Sequence, residues 1–165
     1  MAKLTWFIHT SIGVSDMDKA VAFYKDILGF KVVGLRHFKG EEPARVMHVG
    51  KHTDFSVALL QRDDQRLELI HFKDPKSPAH PTLECNHIGL SHITFLTDDA
   101  EGMMRELKAK GVEVLEGTLG ALSEQRPGKI FLFRGPDGVI CEVSQLAPGA
   151  PKPYLEEDKI KQATR

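Results

Sequence analysis

Hydrophobic positions predict two amphipathic helices, one in each half of the chain. In the first half, apolar residues recur every three or four positions, at Met17, Ala20, Val21, Tyr24, Ile27 and Leu28. The second half repeats this spacing at Ala100, Met103, Met104 and Leu107. Because this spacing places apolar side chains on one face of a helix, we expect each helix to pack on a β-sheet.

Short polar residues and glycines mark the predicted ends of both helices. Ser15 is the predicted N-cap of the first helix, and Thr97 or Asp98 is that of the second. Gly29 and Gly111 follow the last apolar position of each helix and suit the left-handed conformation that ends a helix.

Apolar runs between turn residues predict the strands, with one strand ahead of each helix and the others after it. Those after the first helix are Phe30–Arg36, Ala44–Gly50, Ser56–Gln61 and Arg66–Phe72; those after the second are Val112–Leu115, Lys129–Phe133 and Val139–Gln145. Asp63-Asp64 and Pro136-Asp137-Gly138 are the predicted turns before the last strands. Each half therefore has the order strand, helix, strands, with four predicted strands after the first helix and three after the second.

The two halves are copies of one unit. His9 opens the first copy and His92 opens the second. Asp16 follows His9 by seven residues, and Asp99 follows His92 by seven. The glycines that end the helices follow the same histidines by 20 and 19 residues, so the two copies align over this stretch with a gap of one residue.

Each copy closes on a strand that carries one acid, Glu68 in the first and Glu142 in the second. Alternate residues of a strand face opposite sides of its sheet. We therefore expect Leu67 and Leu69 to pack under the helix while Glu68 points the other way. In the same manner, Cys141 and Val143 would pack under the second helix, and Glu142 between them would lie on the opposite face of its sheet.

Two histidines and two glutamates at equivalent places predict one metal ion held between the copies. An inward carboxylate is costly without a cation. The two imidazoles and two carboxylates of His9, Glu68, His92 and Glu142 balance a divalent charge and suit Ni, Co, Mn, Fe or Zn.

The other histidines fit this pattern less well. His87 is a rival to His92, since His87-Ile88-Gly89-Leu90 has a similar pattern, but it would start the helix five residues too far along. The rest have no duplicated counterpart and are expected at the surface, in turns or on a cavity wall: His37, His48, His52, His71 and His80.

Composition narrows the functional class. With 165 residues the chain buries roughly two thirds of its unfolded surface, enough for a core. Its 22 basic and 23 acidic residues are interspersed, which argues against a nucleic acid partner. Residues 1–6 lack the pattern of a signal peptide, and no stretch approaches the ~20 apolar residues of a membrane span. We expect a cytoplasmic protein with no membrane partner, and reduced thiols at Cys85 and Cys141.

The predicted organisation is a single domain over residues 1–146. It consists of modules 7–72 and 87–146, joined by a linker, 73–86, whose first part is rich in proline. The polar tail 147–165 is expected to lie on the surface or on a partner subunit.

Several of these motifs together resemble the vicinal oxygen chelate superfamily. They are His9 with Val14-Ser15-Asp16, Phe23-Tyr24 with Leu28-Gly29-Phe30, Leu67-Glu68-Leu69, Gly89-Leu90-Ser91-His92-Ile93-Thr94-Phe95, and Pro136-Asp137-Gly138 ahead of Glu142. The superfamily includes glyoxalase I, methylmalonyl-CoA epimerase, bleomycin resistance proteins, extradiol dioxygenases and fosfomycin-resistance enzymes. The resemblance covers nearly all of residues 7–146. It implies an α+β fold of tandem βαβββ modules that form a cupped mixed β-sheet cavity, with a divalent metal at its floor.

The resemblance also implies metal ligands and a reaction. By position, the ligands would be His9, Glu68, His92 and Glu142. The implied enzyme is a metal-dependent lyase or isomerase, lactoylglutathione lyase-like or methylmalonyl-CoA epimerase-like, which removes a proton next to a carbonyl through a metal-bound enediolate. Glu142 is the first candidate for the base, with Glu68 as its partner. The expected substrate is a small carbonyl or thioester compound, and the expected assembly is a homodimer.

The choice of substrate stays open at this point. After Glu68 the chain continues Leu69-Ile70-His71-Phe72-Lys73 and lacks the Asn-Trp-Gly stretch that is typical of glyoxalase I, which argues against glutathione. The predicted strand around His48 has no acid to serve as the second base of an epimerase. Candidate contacts for an anionic substrate are Arg36, Arg45, Arg126 and Lys129.

Three other functions belong to the same superfamily. An Fe(II)-dependent dioxygenase uses two His and one carboxylate, and four protein ligands argue against it. An antibiotic-binding protein has typically lost the ligands that this chain keeps. A metal-dependent resistance enzyme that opens an epoxide or transfers a thiol usually has three ligands.

Overall fold

The computed structural model describes residues 7–78, 84–86, 88–121 and 128–150, which form an α+β fold with two mixed sheets. The chain divides into two compact units. Unit 1 comprises Met1–Leu83 and Pro136–Gly138, and unit 2 comprises Glu84–Gly135 and Val139–Arg165. The predicted fold class is confirmed, whereas the predicted domain bounds and the cup formed by both modules stay predictions.

Unit 1 follows the predicted order of elements, except that a helix replaces one predicted strand. Its elements are β1 (Thr10–Gly13), α1 (Met17–Ala22) with a π-helical continuation (Phe23–Ile27), β2 (Lys31–Gly40), α2 (Glu41–Met47), β3 (Thr53–Arg62) and β4 (Gln65–Asp74). The sheet has the order β1-β4-β3-β2, with β1 parallel to β4 and the other neighbours antiparallel. Tyr24, Leu60 and Leu69 are fully buried in its core.

Unit 2 repeats this arrangement in a shorter form. Its elements are β5 (Ile93–Thr97), α3 (Ala100–Ala109), β6 (Gly128–Arg134) and β7 (Ile140–Leu146). The sheet has the order β5-β7-β6, with β5 parallel to β7. Leu107 of the helix and Phe131 and Phe133 of β6 form its buried centre. None of the helices among the described residues is long and apolar enough to span a membrane.

The predicted strand Ala44–Gly50 is wrong, because this segment forms α2 and a left-handed turn at His48. The segment is rich in good helix formers, and its first turn carries two acids that favour a helix N-terminus. Ala44 is buried, but Val46 is 67% exposed. Ala44 alone of these apolar residues lies in the core, because Val46 and Met47 are exposed.

The predicted strand Val112–Leu115 is reduced to an isolated bridge between Val114 and Phe133. The N–H of Val112 donates to the carbonyl of Leu107, which closes α3, so this residue is not available to a sheet. Too few residues then remain before the turn at Gly117 to extend a ladder.

The predicted N-caps are also wrong, by one residue or two. Asp16 caps α1 by accepting from the N–H of Lys19 at 3.1 Å, and Asp99 caps α3 by accepting from the N–H of Gly102 at 2.9 Å. These are the two aspartates that follow the histidines by seven residues. Ser15 instead donates both its N–H and its hydroxyl to the Asp137 carboxylate, which belongs to the same unit. The glycine ends of both helices are confirmed, with positive φ at each.

Gly128→Ala is expected to lower the free energy of unfolding by about 2–3 kcal/mol. Gly128 has φ +148°, and an added Cβ would lie 2.5 Å from the backbone carbonyl oxygen of Gln145 on β7. The backbone of a paired strand cannot move aside to relieve this contact, as the end of a flexible side chain could. Gly120→Ala is the matched control in the same unit, because nothing lies within 4 Å of its Cβ position. Equal urea midpoints for the two variants would contradict the prediction.

Candidate metal centre

Unit 1 brings together its predicted histidine and glutamate. Residue Ser11 of β1 lies opposite Glu68 of β4 in parallel register, and His9 precedes Ser11 by two positions. Because residues two apart share a face of extended chain, His9 and Glu68 meet on one side of the sheet. Their Nε2 and Oε1 atoms are 3.6 Å apart. The hydroxyl of Ser11 donates a hydrogen bond of 2.9 Å to the same Oε1.

Unit 2 repeats this placement. Thr94 of β5 lies opposite Glu142 of β7, and His92 precedes Thr94 by two positions. Nε2 of His92 is 3.9 Å from Oε2 of Glu142. In both units, therefore, a histidine just before the first strand lies beside a glutamate on the last strand, with a hydroxyl residue between them in register.

The carboxylates lie on the sheet faces opposite those that pack against the helices. Leu67 and Leu69 are buried on either side of Glu68, whose side chain is 22% exposed. Cys141 and Val143 are buried on either side of Glu142, whose side chain is 16% exposed. This confirms the alternation expected from the sequence.

Cys141 does not compete with these residues as a metal ligand. Burial raises the pKa of its thiol to about 12, so the group is protonated at neutral pH. The thiolate, rather than the thiol, is the nucleophile and the metal ligand. Strand alternation also places the fully buried Cys141 on the face of β7 opposite Glu142, away from the candidate ligands.

The geometry of each pair fits a shared divalent ion. Both separations exceed hydrogen-bonding distance. Both are shorter than ~4.2 Å, the largest distance between two donors bonded at ~2.1 Å to one ion. Imidazole nitrogen and carboxylate oxygen are also the donor types that Zn, Co, Ni and Mn accept. Within either unit taken by itself, the described residues add no third His, Cys, Asp or Glu to the pair.

Two of the four basic residues proposed for an anionic substrate are paired with nearby carboxylates. Arg45 bonds the carboxylate of Glu42 within α2, and Lys129 lies 2.6 Å from a carboxylate oxygen of Glu101. Arg36 is exposed on β2. Arg126, together with the rival ligand His87, lies outside the described residues.

Sequence reasoning missed the two hydroxyls that contact the candidate ligands. Ser11 bonds Glu68, and Ser91 lies 3.0 Å from Nδ1 of His92. The available signal was their position, since Ser11 follows His9 by two residues and Ser91 directly precedes His92. Such partners of ligands orient them and tune their affinity for a metal.

A match to a family model gives the class of protein to which this fold belongs. The model of the Glyoxalase/Bleomycin resistance protein/Dioxygenase superfamily matches residues 6–143, and the chain belongs to this superfamily. The resemblance inferred from the sequence motifs is thereby confirmed.

Several known proteins are similar to this chain. Mitochondrial methylmalonyl-CoA epimerase of Homo sapiens is 30% identical over an alignment of 143 residues that covers 83% of this chain and 72% of that protein. An ethylmalonyl-CoA/methylmalonyl-CoA epimerase of Cereibacter sphaeroides is 28% identical over 145 residues, 84% of this chain and 96% of that protein. The crystal structure of a glyoxalase family protein from Bacillus cereus has a TM-score of 0.74 at 24% identity, covering 88% of this chain and 96% of that one. This last likeness shows the fold alone.

Proposed function

We propose that this protein is a divalent-metal-dependent isomerase that removes and returns a proton next to the carbonyl of a thioester. The observation that carries the proposal is the duplicated pair of His and Glu, with Nε2 to Oε separations of 3.6 and 3.9 Å. Among the reactions open to the superfamily, the names of the relatives favour this one, because they are epimerases of methylmalonyl-CoA.

The proposed ligands are His9, Glu68, His92 and Glu142, acting on one ion. This set rests on the duplication in the sequence and on the donor geometry within each unit. When bound, a divalent ion polarises the carbonyl oxygen and stabilises the negative charge that develops as the neighbouring proton leaves.

Glu142 is the proposed base, because the two glutamates differ in their hydrogen bonds. The hydroxyl of Ser11 holds one oxygen of Glu68 at 2.9 Å. Within the described ranges, no side chain donates a hydrogen bond to Glu142. A carboxylate without a fixed donor is free to rotate and to accept a proton, while one held by a hydroxyl keeps its orientation. Glu68 therefore serves as the fixed ligand, and Glu142 takes the proton from the substrate.

The proposed assembly is a homodimer in the cytoplasm. Strand β2 lies at the edge of its sheet and exposes Val33 and Leu35. An exposed apolar edge strand is a surface that native proteins usually cover. A second copy of the chain is the proposed cover, and a small thioester is the only other proposed partner.

The test is proton exchange on methylmalonyl-CoA in D₂O, followed by loss of the α-proton signal in the ¹H NMR spectrum. Protein stripped with a chelator is compared with the same protein reloaded with Co²⁺, Mn²⁺, Ni²⁺ or Zn²⁺. We expect exchange above the rate without protein only after reloading. Isomerisation of the hemithioacetal of glutathione and methylglyoxal, without thioester exchange, would move the function to a lyase. No turnover of either compound by metal-loaded protein would reject the proposal.

A further inference from the structure

Ser91 lies directly before His92 and makes two contacts in unit 2. Its hydroxyl donates to the carbonyl of Cys85 at 2.8 Å. The same oxygen is 3.0 Å from Nδ1 of His92. Neither the repeat nor the family motifs assign a role to this serine.

Counting hydrogens decides the direction of the second bond. A serine hydroxyl has one hydrogen to donate, and a backbone carbonyl has none. The hydrogen of Ser91 must therefore lie toward Cys85, because otherwise two oxygens would meet at 2.8 Å with no hydrogen between them. Oγ of Ser91 is then an acceptor, and the hydrogen in the bond of 3.0 Å belongs to Nδ1 of His92. In the neutral imidazole, the remaining nitrogen, Nε2, then carries a lone pair.

In this arrangement the unprotonated nitrogen of His92 is the one that lies in the candidate site. Nε2 of His92 is the nitrogen that lies 3.9 Å from the Glu142 carboxylate. A neutral imidazole binds a metal only through its unprotonated nitrogen, and the bond made by the other nitrogen selects which one that is.

We propose that Ser91 is a positioning residue that holds neutral His92 with its hydrogen on Nδ1, so that Nε2 is ready to bind the metal. The proposal rests on the proposed function, since it assumes a metal beside His92. In unit 1 the residue held by a serine is the carboxylate and not the imidazole, because the hydroxyl of Ser11 bonds Glu68 rather than His9. The two serines therefore act on different groups: Ser11 orients the acid of unit 1, and Ser91 orients the imidazole of unit 2, where no side chain of the described residues donates a hydrogen bond to Glu142.

The experiment measures the tautomer of His92 in metal-free protein. Ring ¹⁵N chemical shifts are recorded at about pH 8, where histidines are normally neutral, and the His92 signals are assigned from a His92→Gln variant. We expect a protonated Nδ1 in the wild-type protein. Ser91→Ala should move the proton toward Nε2, and Ser91→Thr, which keeps the hydroxyl, should restore it. Ser11→Ala is the matched control and should leave the tautomer of His92 unchanged.

Metal affinity provides the second readout, measured by competition with a chromophoric chelator. Ser91→Ala should weaken binding by about 10–100-fold, with recovery in Ser91→Thr. A proton on Nε2 in the wild-type protein would overturn the proposal without any variant. An unchanged tautomer or an unchanged metal affinity in Ser91→Ala would also overturn it. Since the tautomer is read without metal or substrate, failure of thioester exchange would reject the proposed function and leave this result standing.

Discussion

Glu142→Gln is expected to reduce proton exchange on the thioester by about 10²–10⁴-fold. The amide has nearly the same size as the carboxylate but cannot accept the α-proton. The fold should survive, because the side chain lies on the face away from α3 and its buried neighbours Cys141 and Val143 are unchanged. The measurement is the ¹H NMR exchange assay at saturating metal, with the thermal midpoint as a check on folding.

Glu68→Gln is the matched control, since it changes the equivalent residue of the other unit. It should weaken metal binding, because a neutral amide replaces a charged carboxylate ligand. The same change weakens the hydrogen bond from the Ser11 hydroxyl that fixes this side chain. Exchange should persist once the metal is saturating. The opposite result, exchange kept in Glu142→Gln and lost in Glu68→Gln, would make Glu68 the base.

His9→Ala and His92→Ala are each expected to remove the metal. We expect about one divalent ion per chain in the wild-type protein, and binding at least ~100-fold weaker in each variant, because each loses one of four proposed ligands. Both imidazoles are partly exposed, so the substitutions should leave the cores intact. Metal content is measured by mass spectrometry after desalting, and affinity is measured by calorimetry.

The matched control for the histidines is His37→Ala. His37 also contacts a carboxylate, with Nε2 2.8 Å from Oδ1 of Asp54, but it has no duplicated counterpart. This variant should keep its metal. About two ions per chain, with one lost in each ligand variant, would mean that each unit binds its own ion and would reject the shared site.

Residue periodicity was sufficient to predict much of the fold. A helix face repeats about every 3.6 residues and a strand face every two, so the apolar positions of α1 and the alternation around Glu68 and Glu142 follow from local geometry. The duplication then identified His9 and His92, because one copy serves as an internal comparison for the other. The same comparison marked Asp16 and Asp99, which prove to be the N-caps, although neighbouring polar residues were predicted instead.

The sequence by itself determined the α+β class, most of the strands and the four candidate ligands, including the side of the sheet on which the two glutamates lie. These features depend on local periodicity and on the repeat. Only the tertiary structure decided that 41–47 is a helix, because this depends on which side of the segment is buried. It also decided that the hydroxyl of Ser15 bonds Asp137, a residue 122 positions away. A hydrogen bond between residues distant in the chain follows from how the backbone closes on itself, and no local pattern encodes it.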